Sequence, residues 1–272
     1  MLQGKVIIVT GAAQGMGRAT AALCAARGAS VVLADLDGEG VAAAADEISR
    51  SGGSALARLT DVTVEADVQA LVDTAVETFG TVTGLHNNAY AVHPGAAGDL
   101  VSTSLEAWEW TIRTCLTSQF LCCRAVIPHM LEAGGGAIVN VSSGNGLSGS
   151  TGAAAYGAAK AGTVLLTKYI TTQYGKRGVR CNTVVPGWTI ETGWTRHEGD
   201  EPTPEQRELF DRALADVCMD RLAIPTDIAP VVAFLVSDEA AYVQGATIEV
   251  NGGLLAHMPG AAGSPTAAPI AG

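Results

Sequence analysis

The apolar positions of this 272-residue chain fall into short runs rich in Val, Ile and Leu, separated by Ala-rich segments of helical length. The runs predict strands at residues 6–10, 30–35, 55–59, around 85, 137–141, 179–184 and 247–250. The intervening segments predict helices at residues 15–28, 40–51, 64–79, 105–133, 153–176 and 227–236. Continuous apolar strands that alternate with helices indicate a parallel sheet covered on both faces. We therefore predict one α/β domain, a doubly wound parallel sheet of about seven strands with helices on both faces.

Two stretches depart from this alternation. Residues 188–220 are polar, contain Pro202 and Pro204, and follow the sixth predicted strand. Because doubly wound sheets bind ligands at the carboxyl ends of their strands, we expect this stretch to form a lid over the site. Residues 257–272 are rich in Pro, Ala and Gly, a composition typical of a tail. The folded domain is therefore expected to span residues 1–256.

Composition and charge narrow the possible functions. The net charge is −11 at pH 7, which argues against nucleic acid or an anionic membrane as a partner. No apolar run reaches the length of a membrane span and no signal segment precedes the first strand, so we expect a cytoplasmic protein. The six cysteines form no CxxC pair and the five histidines no HxH or HExxH pattern. These patterns predict reduced core thiols and no metal site.

A glycine-rich turn joins the first predicted strand to the first helix. Gly11, Gly15 and Gly17 allow a tight turn and a close approach of the backbone to a pyrophosphate, and the helix start supplies free N–H groups. The spacing differs from GxGxxG, so a turn that binds nothing remains an alternative. Asp35, at the end of the second strand, favours a nucleotide because an acidic side chain there can bind a ribose 2′-hydroxyl. The fold is thus expected to be Rossmann-like.

The surroundings of Asp35 predict NAD rather than NADP as the cofactor. The carboxylate of Asp35 would repel a 2′-phosphate. Neither Leu36 nor Gln14 is an Arg or Lys that could bind such a phosphate. We therefore expect a binding site for NAD at this end of the sheet.

A tyrosine and a lysine four positions apart carry the candidate catalytic chemistry. Tyr156 and Lys160 share one face of the predicted helix, and a nearby ammonium favours the ionised phenolate. The pair predicts a general base that acts nearer to neutral pH than an ordinary tyrosine. Tyr and Lys at this spacing are also common on helices without a site. The catalytic interpretation therefore depends on the glycine turn and on Ser143, thirteen positions before Tyr156.

Taken together, these motifs resemble the single-domain type of the short-chain dehydrogenase/reductase family. The matching segments are T-G-x-x-x-G-x-G at 10–17, D-V at 61–62, N-N-A at 87–89, I-V-N-V-S-S at 138–143, Y-x-x-x-K at 156–160, P-G at 186–187 and N-G-G at 251–253. The resemblance implies that Ser143 binds the substrate oxygen and that Tyr156 transfers the proton. It implies that Lys160 lowers the pKa of Tyr156 and holds the nicotinamide ribose. It further implies hydride transfer between a secondary alcohol or ketone and NAD(H), by a homotetramer.

The resemblance also implies which residues surround the cofactor and the substrate. Asp61 is expected to bind the adenine amino group. The residues expected at the cofactor are Gly11, Gln14, Gly15, Met16, Gly17, Asp35, Leu36, Asp61, Val62, Asn88, Ala89, Tyr156, Lys160, Pro186, Gly187, Ile190 and Thr192. The residues expected at the substrate are Ser143, Tyr156, Trp188 and Trp194. The two tryptophans form either an apolar wall of the site or packing within the lid.

Several positions depart from the family pattern or leave two interpretations. Tyr90 stands where the family usually has glycine, so its ring is expected either to crowd the cofactor or to face the substrate. Cys115 stands where the family usually has a catalytic asparagine, and a thiol is a weaker hydrogen-bonding group. Thr111 or Ser118 are candidates to compensate for it. His93 lies either at the edge of the pocket or on the surface.

Three functions remain open from the sequence. The first is an NAD-dependent dehydrogenase or reductase of an apolar secondary alcohol or ketone, for which a cyclic substrate is one interpretation. The second is a non-catalytic NAD-binding protein, which the replacement at Cys115 favours. The third is a related enzyme that catalyses epimerisation or elimination, since fold does not fix function. The complete set of Ser143, Tyr156 and Lys160 favours the first.

Overall fold

Residues 1–192 and 201–257 are described by the computed structural model. These residues contain seven strands: β1 Val6–Thr10, β2 Ser30–Asp35, β3 Ser54–Leu59, β4 Gly84–Asn87, β5 Gly136–Val141, β6 Val179–Pro186 and β7 Thr247–Val250. They form one sheet in the order β3-β2-β1-β4-β5-β6-β7, and every neighbouring pair is parallel. The winding reverses between β1 and β4. This topology confirms the predicted doubly wound, Rossmann-like sheet.

Helices cover both faces of the sheet. They are α1 Gly15–Ala26, α2 Gly38–Arg50, α3 Glu65–Phe79, α4 Leu105–Ile112, α5 Ser118–Glu132, α6 Ala154–Tyr174, α7 Pro204–Ala215 and α8 Pro225–Val236. Ile7 and Val9 of β1 pack with α1, α2 and α8, whereas Ile8 packs with α3 and α5. Successive side chains of a strand point to opposite faces, so a strand buried on both sides must be apolar throughout. No described helix is long and apolar enough to cross a membrane.

The helix predicted at residues 105–133 is present but changes its winding in the middle. A π-helical segment, Arg113–Thr117, separates α4 from α5. On either side of this segment the hydroxyls of Thr111 and Ser118 donate to the carbonyl four residues earlier. Such back-bonding bends helices. The π segment carries Cys115, and π segments often occur at functional sites.

The predicted lid contains a helix, α7, that was not among the predicted elements. Thr203 caps α7 in a reciprocal capping box with Gln206, and Pro204 occupies the first helical position. Both features were readable as a helix start in the sequence. Residues 193–200 of the lid and residues 258–272 of the tail lie outside the described part of the chain.

His86 of β4 is fully buried, and its ring nitrogens have no hydrogen-bond partner within residues 1–192 and 201–257. Burial lowers the pKa of His86 from its ordinary value of 6.5 to about 3. The unfolded chain therefore binds more protons than the folded chain between these two pH values. The free energy of unfolding therefore decreases progressively as the pH falls from 6.5 towards 3, because the unfolded chain takes up a proton on His86 that the folded chain does not.

We expect His86→Leu to make the fold less sensitive to acid. Between pH 7 and pH 5, protonation of this histidine in the unfolded chain should cost the parent about 2 kcal/mol, and the variant should lose none of it. Urea unfolding at the two pH values measures the difference. His129→Gln, at a partly exposed position on α5, is the matched control. Equal acid sensitivity of the parent and His86→Leu would contradict the prediction.

Candidate active site

A cleft of about 510 Å³ opens at the carboxyl edge of the sheet, where the winding reverses. Its walls come from the β1–α1 turn, from the segments after β4, β5 and β6, and from α6. Residues from each of these elements line it, among them Met16, Tyr90, Ser143, Tyr156, Lys160 and Trp188. A larger groove of about 800 Å³ lies against α1, α2 and the start of α8, but none of Ser143, Tyr156 and Lys160 lines it. The smaller cleft is therefore the candidate site.

Helix α6 and strand β5 together fix the position of Lys160. Its Nζ is buried and donates to the carbonyl of Val141 at 2.8 Å. In the other direction, Ser142 Oγ donates to the carbonyl of Lys160 at 2.7 Å. The Nζ atom lies 5.6 Å from the ring centroid of Tyr156, one turn earlier on the same helix. The ammonium and the phenol thus face the same end of the cleft.

Ser143 and Tyr156 are in direct contact. Ser143 is the second residue after β5, and its hydroxyl is hydrogen-bonded to the hydroxyl of Tyr156. Ser143 Oγ also accepts from the N–H of Asn145 at 3.3 Å, which fixes the side chain at the start of a short 3₁₀ turn. The three residues that the sequence singled out as catalytic are therefore brought together.

The ionisation of this group differs from the expectation in one respect. Burial raises the pKa of Tyr156 above its ordinary value, and the hydrogen bond from Ser143 lowers it only in part. Burial also lowers the pKa of Lys160. The attraction of the ammonium favours the phenolate, but the loss of water around both groups opposes their ionisation. The prediction that the pKa of Tyr156 is lowered is therefore wrong for the protein without a bound cofactor.

Cys115 lies in the π segment and is fully buried. Its thiol donates to the carbonyl of Ala91 at 3.0 Å, and burial raises the pKa of the thiol. Thr111 Oγ1 accepts from the N–H of His93, and Ser118 Oγ donates to the carbonyl of Thr114. The two hydroxyls are thus both bonded to backbone groups.

The glycine turn has the geometry that a cofactor site needs. Gly11 and Gly15 have φ angles of +65° and +57°, which side chains rarely adopt. A Cβ on Gly17 would lie 2.1 Å from the carbonyl oxygen of Gly11, so only glycine fits there. No side chain caps the first turn of α1, and that turn contains no acidic residue. Its N–H groups are therefore suited to an anionic group such as a pyrophosphate.

Asp35 is fixed beside this turn. One carboxylate oxygen accepts from the N–H of Ala13 at 3.0 Å, and the other accepts from the N–H of Asp37 at 3.1 Å. Leu36 is largely exposed next to it. Arg18, in the first turns of α1, is engaged in an ion pair with Glu47. The Asp35 carboxylate is thus held beside the glycine turn, and its binding of a ribose stays a prediction.

Asn88 connects the end of β4 to the glycine turn. Its amide nitrogen donates to the carbonyls of Thr10 and Gly11, both at 3.0 Å. Its backbone N–H donates to Thr10 Oγ1, as does that of Ala89. The contacts of Asn88 and Ala89 within the protein therefore serve to hold the turn in place.

The other expected cofactor residues lie along the same edge of the sheet. Asp61 lies two residues after the end of β3, and its Oδ1 accepts from the N–H and the hydroxyl of Thr63. These bonds form a turn shortly after β3, which ends at Leu59 as predicted. Ile190 packs in an apolar cluster with α7, whereas Thr192 lines the cleft.

The walls of the cleft settle some of the alternatives left by the sequence. Pro186, Gly187, Trp188 and Tyr90 line the cleft, as does His93. Trp188 also belongs to the apolar cluster of the lid, so both interpretations of it hold. Leu254 lines the cleft although no sequence pattern distinguished it. Trp194 lies outside the described residues. In the described part of the chain, no three His, Cys, Asp or Glu side chains are grouped as a metal site would require.

The known proteins that are similar to this chain are dehydrogenases and reductases. The family model described as enoyl-(acyl carrier protein) reductase matches residues 11–255. The chain is 40% identical over 258 residues to cis-4-hydroxycyclohexanecarboxylate dehydrogenase of Sinomonas cyclohexanicum, covering 93% of this chain and 97% of that protein. It is 36% identical over 252 residues to 2,5-dichloro-2,5-cyclohexadiene-1,4-diol dehydrogenase of Sphingobium indicum, covering 93% and 96%. A crystal structure assigned to the short-chain alcohol dehydrogenases, from Sinorhizobium meliloti, has a TM-score of 0.86 at 31% identity, covering 94% and 98%.

Proposed function

Because the chain belongs to the short-chain dehydrogenase/reductase family of oxidoreductases, we propose that it transfers a hydride between a secondary alcohol or ketone and NAD(H). The observation that carries this proposal is the contact between the Ser143 and Tyr156 hydroxyls in the cleft, with the Lys160 ammonium 5.6 Å from the Tyr156 ring. A non-catalytic binding protein has no need of this arrangement.

Each residue of the group has a distinct task. Ser143 hydrogen-bonds the substrate oxygen, and Tyr156 accepts the alcohol proton or returns it in the reverse reaction. Lys160 stabilises the phenolate, and its charge acts strongly because its side chain is buried. The bound nicotinamide supplies the hydride acceptor and a positive charge. Since burial raises the pKa of Tyr156, the base needs the positive charges near it to form at neutral pH.

The cofactor proposal rests on the glycine turn and on Asp35. Gly17 leaves no room for a side chain, so a dinucleotide backbone can approach the turn closely. The Asp35 carboxylate stands where ribose hydroxyls of NAD would bind, and Asp37 adds a second negative charge two residues on. A 2′-phosphate would meet repulsion from both.

We expect the protein to bind NAD at least about tenfold more tightly than NADP. Asp35→Asn removes the repulsion between the carboxylate and a 2′-phosphate, so it should reduce the preference for NAD over NADP. Asp46→Asn, at an exposed position of α2, should leave this preference unchanged. Calorimetric titration with both cofactors gives the two affinities. Equal binding of NAD and NADP by the parent would contradict the assignment of Asp35.

We propose a compact cyclic secondary alcohol as the substrate class. Two relatives are named for cyclic alcohols, a hydroxycyclohexanecarboxylate and a chlorinated cyclohexadienediol. The cleft of about 510 Å³ has room for a molecule of this size beside the nicotinamide. Incubation with NAD⁺ and a panel of secondary alcohols, followed by NADH absorbance, tests the activity. NAD binding without oxidation of any alcohol in the panel would favour a non-catalytic binding protein instead.

A homotetramer remains a prediction, and one feature of the surface supports it. Large apolar side chains are exposed along α4, α5 and α6: Trp110, Phe120, Leu165 and Tyr169. Apolar patches on a monomer mark surfaces that other molecules cover.

A further inference from the structure

Tyr90 lies on a short segment that is fixed at both ends. The backbone N–H groups of the two residues before it both donate to Thr10 Oγ1 at 3.1 Å. The carbonyl of the next residue, Ala91, accepts the bond from the Cys115 thiol at 3.0 Å. The segment is therefore attached to β1 on one side and to the π segment on the other. The thiol of Cys115 thus holds the backbone beside Tyr90.

The ring of Tyr90 packs against the catalytic group. Its centroid lies 6.2 Å from the centroid of the Tyr156 ring, with the two planes tilted by 48°. Lys160 Nζ lies 5.7 Å from the Tyr90 centroid and 5.6 Å from the Tyr156 centroid. Both distances are within the range of cation–π attraction, and the two rings have the separation of a favourable aromatic pair. Two aromatic rings thus flank one buried ammonium.

The position of Tyr90 gives it control over the space next to the reacting atoms. The residue is 37% exposed and lines the cleft, so part of its ring faces the ligand. A glycine at this position would leave the volume beside Tyr156 open. The aromatic ring of Tyr90 fills that volume. Since the backbone on both sides of Tyr90 is held by hydrogen bonds, the ring cannot move away with its segment.

We infer that Tyr90 is a specificity-determining residue, whose ring restricts the cleft beside Tyr156 to single-ring secondary alcohols and excludes fused bicyclic ones. The inference rests on the proposed dehydrogenase activity of the same cleft. A rigid wall discriminates by steric exclusion, and even small changes in a pocket alter kcat/KM by about 10–200-fold. The ring, rather than its hydroxyl, performs this role.

The test compares kcat/KM for cyclohexanol and for decahydro-2-naphthol with NAD⁺. The parent should prefer cyclohexanol by about tenfold or more, and Tyr90→Phe should keep this preference. Tyr90→Ala should lower the ratio by about tenfold, through a higher kcat/KM for the bicyclic alcohol. Tyr242→Ala, at a fully exposed position between α8 and β7, is the matched control and should keep the parent ratio. Tyr90→Leu serves the same purpose if the alanine variant does not fold, with a smaller fall in the ratio.

The outcomes separate this inference from the proposed function. Suppose that the parent is active and that Tyr90→Ala, or Tyr90→Leu in its place, has the same ratio of kcat/KM for the two alcohols. This result overturns the role of the ring and leaves the proposed dehydrogenase activity unaffected. A fall in Tyr90→Phe as large as in Tyr90→Ala also overturns it, because the ring is still present. A parent that binds NAD but oxidises neither alcohol, nor any in the wider panel, overturns the proposed function and the specificity role together.

Discussion

Replacing Tyr156 by Phe should lower kcat for alcohol oxidation by about 10²–10⁴-fold, the usual contribution of a positioned acid–base group. The ring of Phe fills the same space beside Tyr90 and Lys160, so packing is kept and only the hydroxyl is lost. That hydroxyl is hydrogen-bonded to Ser143, which places the proton acceptor at the substrate oxygen. The affinity for NAD should be nearly unchanged, because the glycine turn and Asp35 are untouched.

Steady-state NADH absorbance and calorimetric titration with NAD measure the two effects of this substitution. Tyr242→Phe is the matched control, since Tyr242 is fully exposed between α8 and β7. It should keep parental kcat. If Tyr156→Phe also kept near-parental turnover on the best substrate, Tyr156 could not be the group that transfers the proton.

The sheet could be predicted because its strands are buried on both faces. In β1, Ile7 and Ile8 pack against opposite layers of helices, so the run has no polar position to obscure it. The glycine turn was predictable for a similar reason. At Gly17 a single added Cβ would overlap with the carbonyl oxygen of Gly11, so the turn requires glycine there. The glycines that the turn requires are the pattern that the sequence displays.

Features that depend on contacts between distant segments were not predictable. The raised pKa of Tyr156 follows from burial by parts of the chain that only the fold brings together. The contact of Cys115 with Ala91 joins residues 24 positions apart through a π segment, which has no periodicity of its own in the sequence. Two interpretations of Tyr90 were therefore left open until its ring was found against Tyr156 and Lys160. The missed helix α7 is different, because its capping residues Thr203 and Gln206 were present in the sequence.

Replacing Lys160 by Met should lower kcat at neutral pH by about 10²-fold or more and displace the pH profile of alcohol oxidation to higher pH. The methionine side chain approximately fills the space of the lysine but carries no charge. Burial already raises the pKa of Tyr156, and the loss of the ammonium raises it further. The fraction of phenolate at pH 7 then falls about tenfold for each unit of pKa.

The pH profile distinguishes this electrostatic role of Lys160 from a purely structural one. A structural defect would lower kcat at every pH by a similar factor and would lower the melting temperature. Loss of the charge should instead leave a rate that recovers as the pH rises, because hydroxide can remove the proton that Lys160 no longer helps to release. Lys168→Ala, at an exposed position of the same helix, should keep both the kcat and the pH profile of the parent. An unchanged pH profile in Lys160→Met would mean that Ser143 and the cofactor alone stabilise the phenolate. The ammonium between the rings of Tyr90 and Tyr156 would then have no part in the proton transfer.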